Sequence, residues 1–243
     1  MNHNISRESK IHSLLKSHGL LLLGSMRVSK QDGVPEVAES RPARQLLLIG
    51  NGGSSFWPVF SRSPEFRDGL ADPLDRWSKR VGDKLATEWD GRAIFPFDGP
   101  PYPPFLTWAG KTGQVLPSPV SIFIHAKFGL WHAYRFALAL SESQDGVPAE
   151  TESKSPCVEC KDQPCLDACP VNAFTANANR VDRCMKYLVS DTETACRRLG
   201  CEARRACPVG KEFTYLPAHA KFHMDAFVKI QKTTVRSPFR NTR

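Results

Sequence analysis

Apolar residues along this chain change rhythm several times, and each change marks an element. Ile11, Leu14 and Leu15 stand at helical spacing and predict a helix over residues 5–18, which Gly19 stops. Leu20 to Val28 then reads as a buried strand, and the polar, Pro- and Gly-punctuated stretch Ser29 to Pro42 as a loop. Gln45 to Ile49 predicts a second buried strand, closed by a tight turn at Gly50-Asn51-Gly52-Gly53. Asp72-Pro73 supplies an N-cap and a first-turn proline for a helix whose apolar face is Leu74, Trp77, Val81 and Leu85. Arg92 to Phe97 predicts a third strand and Pro104 to Thr112 a short helix. Val120 to His125 and Leu130 to Leu140 predict an antiparallel pair joined through a turn at Gly129. Ala218 to Ile230 predicts a closing helix, followed by a basic tail.

Ser141 to Pro156 is rich in Ser, Glu, Asp, Gly and Pro and nearly free of large apolar residues, so it reads as a linker. The expected organisation is an α+β domain over 1–145, a linker over 146–156, a small module over 157–217, and a C-terminal helix and tail over 218–243. With 41% hydrophobic and 24% charged residues, the 243-residue chain has ordinary globular usage, which excludes a wholly disordered protein. The longest aliphatic run, Leu20 to Leu23, is far short of the roughly 18 residues of a membrane span. Met1 to Lys10 is polar and carries no apolar signal core, so a cytoplasmic protein without membrane contact is expected.

The cysteines change the picture most. All eight lie between Cys157 and Cys207, and without a secretory signal such a crowd reads as metal ligation rather than as a disulfide framework. They form two groups: Cys157-x2-Cys160-x4-Cys165-x3-Cys169-Pro170, and Cys184-x11-Cys196-x4-Cys201-x5-Cys207-Pro208. This resembles the bacterial dicluster ferredoxin pattern, in which the Cys before each Pro serves the other cluster. The resemblance implies two four-iron, four-sulfur clusters: Cys157, Cys160, Cys165 and Cys207 on cluster one, and Cys169, Cys184, Cys196 and Cys201 on cluster two. Two structural zinc sites are the alternative, although only Cys157/Cys160 has the compact spacing that zinc ribbons favour; a three-iron centre, or one cluster with spare cysteines, is a further one.

Formal net charge is +8, and most of the excess lies beyond residue 150. Nucleic acid is the usual partner of such a charge, but two clusters of about −2 each would offset much of it, so nucleic acid is not the expected partner here.

Two further stretches carry a resemblance. Val181-Asp182-Arg183-Cys184-Met185-Lys186-Tyr187-Leu188, flanked by the two Cys-Pro ends, resembles the dicluster module of epoxyqueuosine reductases, which are cobalamin-dependent. Ile124-His125-Ala126-Lys127-Phe128-Gly129-Leu130-Trp131-His132-Ala133-Tyr134-Arg135 is similar to the His-Pro-Arg-Phe-Gly-Gly-Trp-Phe-Ala-Ile-Arg stretch of CblC-type cobalamin-processing proteins, with Ala126 in place of the Pro. The resemblance implies a nitroreductase-like α/β sandwich followed by the two-cluster module. It further implies that His125 lies near a cobalamin's nucleotide tail and that Asp98, in Asp98-Gly99-Pro100-Pro101, is a proton-delivering acid, its apolar neighbours Phe95, Phe97 and Tyr102 raising its pKa.

Each residue also has a plainer reading. His125 follows an apolar strand and can be a structural histidine. Asp98 can simply start a turn. Arg135, within a strand, can meet a carboxylate, a phosphate or a flavin. The pairs Arg197-Arg198 and Arg204-Arg205 serve either as local charge compensation or as a docking face. No nucleophile elbow or His-Glu-x-x-His is present, so hydrolysis has no support. The expected function is an iron–sulfur redox protein that passes electrons to a cobalamin or flavin and exchanges them with a partner protein. The alternatives are a non-catalytic electron carrier and a structural zinc protein.

Overall fold

The computed structural model describes residues 7–143, 154–175 and 178–236. Most of the expected linker and the end of the basic tail lie outside these residues. From the N-terminus run α1 (Arg7–Ser17), β1 (Leu21–Arg27), β2 (Gln45–Gly52), the single-turn α2 (Trp57–Phe60) and α3 (Pro64–Arg67), α4 (Pro73–Glu88), β3 (Arg92–Ile94) and α5 (Phe105–Lys111). Two-residue strands β4 (Val115–Leu116) and β5 (Ile124–His125) precede β6 (His132–Leu140). The remainder comprises α6 (Pro156–Glu159), α7 (Pro164–Asp167), β7 (Phe174–Thr175), β8 (Ala178–Asn179), α8 (Val181–Ser190), α9 (Ala195–Leu199), α10 (Glu202–Ala206) and α11 (Pro217–Arg236). The chain is thus mixed helix and sheet, as expected for an α+β protein. Among the described residues no helix is long and apolar enough to cross a membrane.

These elements form two compact units, one from residues 1–116 and 132–154, the other from 117–131 and 155–243. The segment 117–131, which the sequence suggested belonged with the first domain, therefore folds with the cysteines.

The first unit is built on an antiparallel sheet ordered β1-β2-β6-β3. Every residue of β2 is buried, which is why its apolar run is continuous rather than alternating. Burying Leu46, Leu47, Leu48 and Ile49, each fully inaccessible, contributes about 1.5–3 kcal/mol per side chain. Helix α4 packs on β3 and β6 through the predicted face of Leu74, Trp77, Val81 and Leu85. Its Gly82 admits the Phe95 ring, which a Cβ would meet at 2.8 Å.

Four local expectations are corrected. The antiparallel pair through Gly129 does not form: β6 lies between β2 and β3, because Phe136 to Leu140 are buried at every position and need a partner on both edges. The glycine-rich stretch is not a turn through Gly52. Strand β2 continues, and Gly50 permits a close approach, since a Cβ there would lie 2.0 Å from the Ala133 carbonyl oxygen. The third strand stops at Ile94, where Phe95 and Asp98 close a turn by an N–H of Asp98 donating to the Phe95 carbonyl at 3.1 Å. Asp72 precedes α4 as expected, but its side chain makes no capping hydrogen bond.

In the second unit, α11 packs on α8 and α9, and α10 on α7 and α9. Leu188, Cys196 and Val228 form one small core, with Cys184, Met185, Tyr187, Met224 and Phe227 against it. Trp131, Tyr215 and Ala220 form another.

Candidate metal centres and cofactor site

The cysteines lie in the first turns or at the caps of short helices. Cys157 enters α6 after Pro156, its N–H donating to the Ser155 hydroxyl at 3.3 Å, and Cys160 follows the helix end. Cys165 stands in the first turn of α7. Cys169 lies just beyond, its sulfur accepting the Ala173 N–H at 3.2 Å. Cys184 is on α8, Cys196 on α9, and Cys201 and Cys207 bracket α10.

All eight are free thiols, and they influence one another in two sets of four. Burial first, and then Cys207, Cys157 and Cys160, push the Cys165 thiol up; burial, Cys157 and Cys160 act likewise on Cys207. Burial pushes Cys184 up to about 11, with Cys201 and Cys169 adding, and Cys196 up to about 12, with Cys201 and Cys184 adding. Cys201 is raised by burial and by Cys169. Such thiols give up their protons to a cation that replaces them. These neighbourhoods are wider than coordination distance: among the described residues no three His, Cys, Asp or Glu side chains converge closely enough to hold a single metal ion.

The two arginine pairs split by role. Arg197 turns inward, donating to Asp225 at 2.5 Å and to the Leu188 carbonyl at 3.1 Å. Arg204 stacks over Trp131 and Tyr215, 4.5 Å from each ring, and its Nε donates to the Leu130 carbonyl at 2.7 Å. Arg198 and Arg205 are exposed.

His125 is buried, and its Nδ1 accepts the N–H groups of Lys127 at 3.0 Å and Phe128 at 3.4 Å. Burial, then nearby Lys127, lowers its pKa to about 4. The imidazole is therefore neutral at pH 7, with its proton on Nε2. Backbone bonds exchanged with Gly129, at 2.9 and 2.8 Å, close the turn that the ring caps.

In the first unit Asp98 is exposed, so the apolar burial expected around it is not found. Its Oδ2 accepts the Phe95 N–H at 3.2 Å, as a turn-forming Asp does. With Arg92, Ile94, Tyr102 and Pro104 it lines a cleft of about 480 Å3, within the range of small-molecule sites. One half-buried carboxyl of this unit is Asp75, one residue past Leu74 on α4. Burial raises its pKa, and the charge of Arg135 opposes that rise. The only signal for Asp75 in the sequence was its place beside the apolar face of a helix. Arg135 is the extra residue of a β-bulge, since Ile49 pairs with Phe136 while Gly50 pairs with Tyr134. Its guanidinium lies 5.9 Å from the centre of the Phe56 ring. Next to it, the Tyr134 hydroxyl is buried with no hydrogen-bond partner among the described residues, and burial raises its pKa.

No family model and no curated protein matches the chain. Among solved structures, the B12-trafficking protein CblC of C. elegans, a homologue of human MMACHC, is 12% identical with a TM-score of 0.51, over 96% of this chain and 97% of that one. The Bacillus subtilis epoxyqueuosine reductase is 16% identical over 88% of this chain and 69% of its own, with a TM-score of 0.45. An epoxyqueuosine reductase bound to a modified tRNA-Tyr stem loop is 17% identical over 87% and 62%, at 0.38. The first likeness defines the fold as CblC-like. The expectation that nucleic acid is not a partner finds no support among these neighbours.

Proposed function

We propose that this chain is an iron–sulfur redox protein with two four-iron clusters, which passes single electrons to a cobalamin for cobalamin processing or cobalamin-dependent reduction. The observation that carries the proposal is the division of eight thiols into two sets of four, with Cys207 in the set of the first motif and Cys169 in the set of the second. Four soft sulfur donors per set suit iron bridged by sulfide. The cofactor reading is supported by the CblC-like fold and by the orphaned Tyr134 hydroxyl, a buried polar group that a bound ligand would satisfy. Arg135, re-aimed by the bulge, is the proposed counter-charge for the cofactor's phosphate, and Asp98 the proposed proton donor at the 480 Å3 cleft. Cobalamin, when bound, supplies a metal that takes electrons one at a time.

The test is anaerobic. Iron-replete protein should carry about eight iron and eight sulfide per chain, four for each cluster. Titration with hydroxocobalamin should give a saturable spectral shift, and one addition of reductant should reduce the cobalt faster than in a protein-free control. Stoichiometric zinc without iron overturns the cluster reading. Normal iron with no shift and no acceleration overturns the cobalamin reading.

A further inference from the structure

On helix α8, Arg183, Lys186, Tyr187 and Ser190 recur at i, i+3, i+4 and i+7 and so form a single stripe. With Val171, just past Cys169-Pro170, they line a concavity of about 460 Å3. Arg183 and Lys186 are exposed, and among the described residues neither forms an ion pair. The adjacent acid, Asp182, is neutralised by Arg180, which donates to both of its oxygens at 3.1 Å. The side chains of the stripe therefore carry positive charge, with Asp191 and Glu202 within electrostatic reach of Tyr187.

The floor of the concavity leads inward. Tyr187 packs against the core of Leu188, Cys196 and Val228 and lies within electrostatic reach of Cys196 and Cys169. Two of the four thiols of the second set are thus one side chain away from a cationic, partly apolar groove. Proteins that exchange electrons meet through small surfaces whose opposite charges steer the encounter, with the redox centre near the contact.

We propose that this groove is the docking site for a small acidic one-electron carrier protein, whose electron enters the chain at the set of Cys169, Cys184, Cys196 and Cys201. The inference rests on the iron–sulfur reading above. One electron leaves the carrier's reduced cofactor, which is oxidised by one electron, and the cluster on this set is reduced by one; no bond forms and no proton moves.

The test uses the full, cluster-loaded chain and reduced flavodoxin, an acidic flavin protein, as the probe. The R183E/K186E variant should bind flavodoxin at least tenfold more weakly and lose most of the salt dependence of binding. Stopped-flow reduction by flavodoxin should slow at least tenfold, while reduction by dithionite proceeds at the wild-type rate. R198E/R205E makes the same charge change at exposed arginines of α9 and α10, and it should bind nearly as wild type does. Equal effects of the two double variants, or none from R183E/K186E, overturn the proposal. So does a loss of affinity for an RNA stem–loop with flavodoxin binding unchanged, which would make the stripe an RNA contact. Dithionite-treated protein with no iron–sulfur signal would instead show the underlying reading to have failed, whatever flavodoxin does.

Discussion

Gly129 lies so close to Val209 that a Cβ on it would sit 2.0 Å from the Val209 carbonyl oxygen. The approach is mutual: Gly210, at φ +70°, meets the Phe128 carbonyl carbon at 2.5 Å by the same measure. Val209 and Gly210 follow Cys207-Pro208, so the turn capped by His125 is seated on backbone leaving a cysteine. Gly129→Ala combines this overlap with φ +55°, and should destabilise the second unit by more than about 3 kcal/mol, beyond the roughly 1–2 kcal/mol of a left-handed non-glycine residue. Gly33→Ala, at φ +62° with nothing within 4 Å, supplies the comparison and should show the left-handed cost alone. Urea unfolding of both variants measures the difference; equal losses would mean that the backbone relaxes freely at Gly129.

Arg204 reaches the same turn from α10, and its planar group is what fits. Sandwiched 4.5 Å from both Trp131 and Tyr215, it also holds the Leu130 carbonyl. Arg204→Lys keeps the charge but loses the stacked plane and the Nε donor. The loss should be about 1–3 kcal/mol, with a change in Trp131 fluorescence. A variant as stable as wild type would show that charge alone matters at this position.

The sequence made the buried strand β2 and the apolar face of α4 readable, because both are set by local periodicity: four consecutive aliphatics in one, i, i+3/i+4 spacing in the other. It did not reveal that β6 is central. A run that ends in five buried residues needs two neighbouring strands, and its partners, β2 and β3, lie far back in the chain. Likewise aromatic residues adjoin Asp98 in sequence, yet in the fold its side chain is exposed, because closeness along the chain does not make burial. The crowding of eight thiols into one segment was legible from their spacing. The roles of Gly129, Gly210 and Arg204 were not, since each depends on a contact between segments remote in sequence.

His125 gives the second unit a pH dependence whose sign follows from its environment. Its folded pKa, about 4, lies below the ordinary value of 6.5. As pH falls through that window the unfolded chain takes up a proton that the folded chain refuses. The stabilisation is therefore complete above pH 6.5 and is lost progressively toward pH 4. At about 1.36 kcal/mol per pKa unit the full effect is at most about 3 kcal/mol. His125→Gln should flatten the slope of unfolding free energy between pH 6.5 and 4, measured by urea titrations at fixed pH. A slope unchanged in the variant would assign it to other groups.

Interleaving of the two thiol sets makes a prediction that opposes sequence proximity. Cys160 and Cys169 are neighbours in the first motif, whereas Cys207 ends the second; by electrostatic neighbourhood Cys207 belongs with Cys157, Cys160 and Cys165, and Cys169 with Cys184 and Cys201. Each single Ala variant, at Cys160, Cys169 or Cys207, should lose one cluster, about four of eight iron. The double variant Cys160→Ala/Cys207→Ala removes two ligands of one cluster and should lose no more iron than either single change. Cys160→Ala/Cys169→Ala strikes both clusters and should lose nearly all of it. Non-additivity marks residues that act on one site, and additivity marks independent ones. Iron and sulfide analysis of five proteins, with circular dichroism to confirm that the first unit stays folded, decides the matter. If the iron of the Cys160/Cys169 pair behaves as one site and that of the Cys160/Cys207 pair as two, each motif holds its own cluster and the crossing is wrong.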